Sequence, residues 1–125
     1  MANPFASQPR IFVVDDELDI AKMLAVVLQM NQFDAVAFSD PLAALEAAKA
    51  APPDYLVSDI VMPLMNGIDL AIAIQAAAPA CKVLLFSGQV GALEVVRNAS
   101  EAGHHFQLAQ KPIHPTRMVA AIRNL

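Results

Sequence analysis

Short apolar runs alternate along this chain with longer stretches whose apolar residues recur every three or four positions. Arg10-Ile11-Phe12-Val13-Val14 is β-branched and aromatic and ends in two acids, which predicts a buried strand. From Glu17 to Met30, Ile20, Met23, Leu24, Val27 and Leu28 fall on one helical stripe, and Asp16 is placed to cap the start of that helix. Phe33 to Phe38 predicts a second strand. Ser39-Asp40-Pro41 is a helix-start signal with proline at the first helical position. The helix it opens runs through Ala50, with Leu42 and Leu45 facing inward, until Pro52-Pro53 breaks it.

The same alternation continues to the last residue. Tyr55-Leu56-Val57-Ser58 is a third strand that stops at Asp59, and a loop from Pro63 leads to a helix over Gly67 to Ala78, ended by Pro79. Lys82 to Phe86 is a fourth strand, followed by Ser87-Gly88. A helix from about Val90 to Ala102 is closed by Gly103. Phe106 to Gln110 is the fifth strand, and His114-Pro115-Thr116 opens a final helix carrying Met118, Ile122 and Leu125. Strands that are continuously apolar, each followed by a helix, predict a parallel sheet covered on both faces, an α/β fold. Right-handed crossovers leave few topologies. Met1 to Arg10 holds two prolines and no signal-peptide core, so residues 1–8 are expected to be a flexible lead and 9–125 one domain.

Composition narrows the partners. Hydrophobic residues are 57% of the 125 and charged residues 16%, a globular balance rather than a disordered one. Eight basic and twelve acidic residues give a net charge of −4. That sign argues against direct nucleic-acid binding, which needs a basic face, and suits cations. Cys81 is the single cysteine, so no internal disulfide can form. No apolar run reaches the roughly 18 residues of a membrane span. Together these predict a cytoplasmic protein with no membrane partner.

Parallel α/β sheets collect ligands at the carboxyl ends of their strands. Here those ends carry Asp15-Asp16, Asp59, Ser87 and Lys111. Three carboxylates crowded at one edge repel one another and need a divalent cation to coexist, and magnesium prefers oxygen ligands. A carboxylate at Asp59 can attack a phosphoryl group in line, while the Ser87 hydroxyl and the Lys111 ammonium bind the remaining oxygens. An Asp-Asp pair alone is more often a helix cap than a metal site; Asp59 and Lys111 at their strand ends reverse that judgement. His104, His105 and His114 do not have the arrangement of a zinc site, and Cys81 is expected to pack near a strand start without redox work.

These residues resemble the receiver family of two-component signalling. The resemblance rests on Asp15-Asp16, on Asp59 within Asp59-Ile60-Val61-Met62-Pro63 with Gly67 beyond, on Ser87-Gly88, and on Lys111-Pro112, over about residues 9 to 125. It implies a flavodoxin-like doubly wound sheet of five parallel strands in the order 2-1-3-4-5. It implies that Asp59 is the phosphoacceptor and that Asp15, Asp16, Asp59 and the backbone carbonyl of Val61 hold Mg²⁺. Ser87 would be the switch hydroxyl and Lys111 the phosphate clamp, with a cis Lys111-Pro112 peptide. The phosphodonor would be a histidine kinase or a histidine phosphotransfer protein. The output would be a protein target or a dimer partner at the face of the fourth helix, fifth strand and fifth helix, where Leu93, Glu94, Val96 and Arg97 make a mixed pattern. The chain would be a switch rather than an enzyme.

Two features depart from the pattern. The family's aromatic three residues before the lysine is Leu108 here, so coupling is expected either through Phe106, on the same strand face, or through the loop after Ser87. The Gly103–Lys111 stretch is also one residue longer than usual. Gln89, two after Ser87, is expected to position the water that removes the phosphoryl group. Two rivals stand beside this view. A phosphorylation-independent pseudo-receiver would not need the acid triad and Lys111. A phosphatase with an aspartyl-phosphate intermediate would want a proton donor two residues after the nucleophile, where Val61 has none.

Overall fold

A computed structural model describes residues 8–88 and 92–125. Five strands, β1 (Arg10–Val14), β2 (Asp34–Phe38), β3 (Tyr55–Asp59), β4 (Lys82–Ser87) and β5 (Gln107–Gln110), alternate with five helices. These are α1 (Leu18–Met30), α2 (Pro41–Ala50), α3 (Gly67–Ala77), α4 (Ala92–Glu101) and α5 (Pro115–Arg123). The strands form one sheet in the order β2-β1-β3-β4-β5, and every neighbouring pair is parallel. The expected doubly wound order is therefore the one observed.

The sheet divides the core into two layers. On one face Phe12, Val14, Leu56, Val83 and Leu85 pack with Ala44 and Ala48 of α2, Leu70, Ala71 and Ile74 of α3, and Val96 and Ala99 of α4. On the other, Ile11, Val13, Val57, Leu84 and Phe86 pack with Ala21, Leu24, Ala25 and Leu28 of α1 and Met118, Val119 and Ile122 of α5. Successive strand residues thus enter opposite layers, which is why the central strands read as unbroken apolar runs.

Several local expectations shift. In α1 the buried residues are Ala21, Leu24, Ala25 and Leu28, while Met23 is 56% exposed. The small alanines let the helix lie close to the sheet, and this turns the larger Met23 outward. Leu42 likewise faces solvent, and Ala44 and Ala48 make the contact of α2. Asp16 does not cap α1: the N-cap is Glu17, without a side-chain bond, and it is Asp15 Oδ1 that accepts from the Glu17 N–H at 2.9 Å. Asp40 does cap α2, accepting from Leu42 N–H, and the His114 ring accepts from Thr116 N–H at the start of α5. β5 begins one residue after Phe106, and Gly103 turns the chain out of α4 with φ +96°. The expected start of α4 near Val90 and most of the lead at 1–8 lie outside the described residues.

Gly67, the first residue of α3, meets the end of β3 closely. A methyl group on it would run into the carbonyl oxygen of Asp59, and its N–H donates to Ile60 O at 2.8 Å. The nearest atoms are backbone and cannot swing aside. Gly67→Ala should therefore destabilise the fold by about 1–3 kcal/mol, as overpacking does, seen as a lower urea midpoint at unchanged slope; an unchanged midpoint would show that the helix start can slide.

Candidate functional site

At the carboxyl edge of the sheet, β1 delivers Asp15 and Asp16 and β3 delivers Asp59. Each contributes a carboxylate oxygen to a group lying within 4.8 Å of one another. Asp15 is buried at 3% exposure, Asp59 is half-buried, and Asp16 faces solvent. Burying one acid and holding another beside it is costly unless positive charge is near. Lys111 supplies it: its Nζ donates to Asp59 Oδ2 at 3.0 Å and to Asp15 Oδ2 at 3.4 Å. Burial lowers the affinity of this amine for its proton, but the hydrogen bond and charge of Asp59, and then those of Asp15, outweigh it, so the Lys111 pKa is raised.

Ser87 closes β4 and is buried. It is tied to the lysine through the backbone, because Lys111 N–H donates to Ser87 O at 3.0 Å. The Lys111-Pro112 peptide is cis, as the resemblance implied. The structure thus brings Asp15, Asp16, Asp59 and Lys111 together and places Ser87 on the adjoining strand end. Val61 lies two residues past Asp59 with its side chain half exposed. Phe106 is buried against the α4 layer, and Leu108 lies half-buried against the same layer, so the two do share a face. Gln89 lies outside the described residues.

Two contributors had not been singled out for what they do. Ser58 is fully buried beside Asp59, and its hydroxyl donates to the Asp59 carbonyl at 2.9 Å. Gly67 appeared as part of a motif; its lack of a side chain is what lets α3 start against that same carbonyl. The remaining candidates have structural tasks. His105 Nδ1 bonds Ser100 Oγ at 2.8 Å, His104 stacks on Phe106, and His114 caps α5. Burial, with help from the negative charge of Asp54, pushes the Cys81 thiol up to about 12, so it is not a nucleophile near neutrality.

Three carboxylates make an all-oxygen donor set of the kind that a hard divalent cation such as Mg²⁺ takes. Carboxylates gathered with a lysine at the carboxyl ends of parallel strands define a phosphoacceptor site of the receiver type. The sequence pattern of the response regulator receiver domain matches residues 11–123, and the chain belongs to that family. It is 31% identical over 114 residues to the DNA-binding response regulator MtrA of Mycobacterium tuberculosis, a match covering 91% of this chain and 49% of MtrA. It is 30% identical over 119 residues to the transcriptional regulatory protein PrrA of Mycobacterium bovis, covering 95% of this chain and 50% of PrrA. The chain therefore spans about half the length of the curated relatives it matches. Among solved structures, chemotaxis protein CheY4 of Vibrio cholerae superposes with a TM-score of 0.83 at 21% identity, covering 94% of this chain and 98% of that one. A CheY-like receiver domain protein from Methanospirillum hungatei superposes with a TM-score of 0.85 at 22% identity, covering 94% and 93%. Both likenesses speak to the fold. No helix among the described residues is long and apolar enough to cross a membrane.

A group whose folded pKa is raised contributes stability that is complete below its unfolded pKa and is lost as pH climbs through the folded one. For Lys111 the unfolded reference is 10.5. Lys111→Met should cost about 1–2 kcal/mol at pH 7, a figure held down by the partial solvent screening of the amine. The gap to the unsubstituted protein should hold steady from pH 7 to 9 and narrow only above about 10.5. Urea denaturation at each pH measures it, and a gap that closes already by pH 8 would contradict the ion-pair geometry.

Proposed function

We propose that residues 9–125 act as a phosphorylation-controlled switch. Asp59 accepts a phosphoryl group from a phosphohistidine of a histidine kinase or histidine phosphotransfer protein, with Mg²⁺ held by Asp15, Asp16, Asp59 and the Val61 carbonyl. The observation that supports this most directly is the Asp15–Asp16–Asp59 cluster with the Lys111 ammonium on Asp59. A cluster kept only for packing would not crowd three acids at one strand edge.

An Asp59 carboxylate oxygen attacks phosphorus as the phosphorus–nitrogen bond to the donor imidazole breaks. The new bond is an acyl phosphate, and the bonding pair leaves with the imidazole. Mg²⁺, when bound, supplies the positive charge that lets an anionic nucleophile approach an anionic phosphoryl group. Lys111 exchanges its hydrogen bond with Asp59 for one with a phosphoryl oxygen, so an existing donor is reused rather than recruited. Ser87 supplies the second donor from its strand end. The shift of Ser87 carries into the β4–α4 connection and onward to the face of α4, β5 and α5. A downstream protein or a second copy of the chain reads the change there. Leu108 in place of an aromatic leaves Phe106, packed against α4, as the bulky group on that route. Gln89 sets the lifetime by orienting the water of hydrolysis.

The phosphatase alternative is weakened by Val61, whose side chain has no proton to give. The pseudo-receiver alternative has Leu108 in its favour, and it predicts the opposite result in the following test. Acetyl phosphate with Mg²⁺ should add one phosphoryl group to the intact protein, by mass spectrometry. Asp59→Asn should take none, and chelation by EDTA should stop the reaction. Equal labelling of Asp59→Asn would move the acceptor elsewhere, and no labelling of the unsubstituted protein would favour the pseudo-receiver.

A further inference from the structure

We infer that Ser58 is a positioning residue for the metal side of this site, acting through the peptide that joins Asp59 to Ile60. The inference rests on the proposal that the Val61 carbonyl and the Asp59 carboxylate bind one cation. Ser58 is fully buried and lies on the face of β3 that it shares with Leu56, in an otherwise apolar layer. A hydroxyl there is unfavourable unless bonded. Its bond is to Asp59 O at 2.9 Å, with the Met62 sulfur farther off at 4.0 Å.

That bond completes a set of restraints on two successive peptide units, Asp59–Ile60 and Ile60–Val61. The Asp59 carbonyl oxygen is held by the Ser58 hydroxyl and occupies the space a side chain on Gly67 would need. Ile60 N–H donates to Phe86 O at 3.0 Å, and Ile60 O accepts from Gly67 N–H at 2.8 Å. The Asp59 side chain branches just before the first of these units, and Val61 begins just after the second. Restraining both units therefore limits how far the Val61 carbonyl can move from the Asp59 carboxylate. Mg²⁺ demands near-ideal octahedral geometry with oxygens at about 2.0–2.1 Å, so small changes in that separation weaken binding. Gly67 has no side chain and Phe86 contributes only its backbone, so the serine hydroxyl is the side-chain member of this set.

The test is a Mg²⁺ titration followed by amide chemical shifts, on the unsubstituted protein, Ser58→Ala, Ser58→Thr and Leu56→Val. The last variant loosens the same strand and layer without touching the peptide. Ser58→Ala should bind Mg²⁺ about tenfold more weakly, the low end of the outer-partner scale, because the hydroxyl holds the backbone of the ligand residue rather than its carboxylate. Ser58→Thr, which keeps the hydroxyl, should recover most of that loss, and Leu56→Val should bind as the unsubstituted protein does. Should Ser58→Thr not fold because its extra methyl is too large, the contrast between Ser58→Ala and Leu56→Val decides alone. An affinity of Ser58→Ala within about threefold of the unsubstituted protein overturns the inference, and so does an equal loss in Leu56→Val. If the unsubstituted protein shows no response to Mg²⁺ at all, the metal site itself is refuted and this inference falls with it, a result distinct from either of those.

Discussion

Everything at the working edge of this protein depends on one unequal balance of charge. Three carboxylates, one of them buried, meet a single ammonium. Lys111 cannot neutralise all three, and the remaining negative charge is what makes the edge receptive to a divalent cation. A neutral or fully paired cluster would be more stable and would have little use for Mg²⁺. Such sites are places where stability is given up for chemistry. The lysine lies closer to Asp59 than to Asp15, so Asp59 carries the better of its two hydrogen bonds.

The fold makes this arrangement affordable by fixing the backbone around it. Parallel pairing puts Val14 beside Ser58, Asp59 beside Phe86, and Ser87 beside Gln110. Residues that follow these rungs, Asp15 and Lys111 among them, emerge along one edge without any loop having to reach for it. Helix α3 then starts directly against the Asp59 carbonyl because its first residue is a glycine. Asp59 is set by its strand and Asp15 by the bond of its N–H to Phe38 O, which limits how far mutual repulsion can spread the acids.

Much of this was legible in the sequence. The parallel sheet, the two-layer core and the meeting of Asp15, Asp16, Asp59 and Lys111 follow from apolar runs and the placement of polar residues at strand ends, and the strand order from the family resemblance. What was not legible depends on distances between elements. The apolar stripe of α1 passes through Met23 on the rule that large apolar residues define a core face, yet alanines make the contact and Met23 turns out. Leu42 went the same way for the same reason. Asp16 has the right spacing for a cap, but the N-cap is Glu17, and it is Asp15 that accepts from the Glu17 N–H. Ser58 carried a faint signal, a hydroxyl in a buried strand, whose meaning needed the position of the Asp59 carbonyl.

The opposite rim of the sheet is built in a contrasting way. There Arg10 donates its main-chain N–H to Asp54 Oδ2 and its guanidinium to Ala51 O, with Asp34 at 3.9 Å, while Lys82 Nζ donates to Leu125 O. These contacts pair donors with acceptors. Tension and anchorage are thus segregated to the two ends of the same strands. A sheet so divided can be hardened or softened by altering its quiet end, with the length of a strand separating the reactive one from the change.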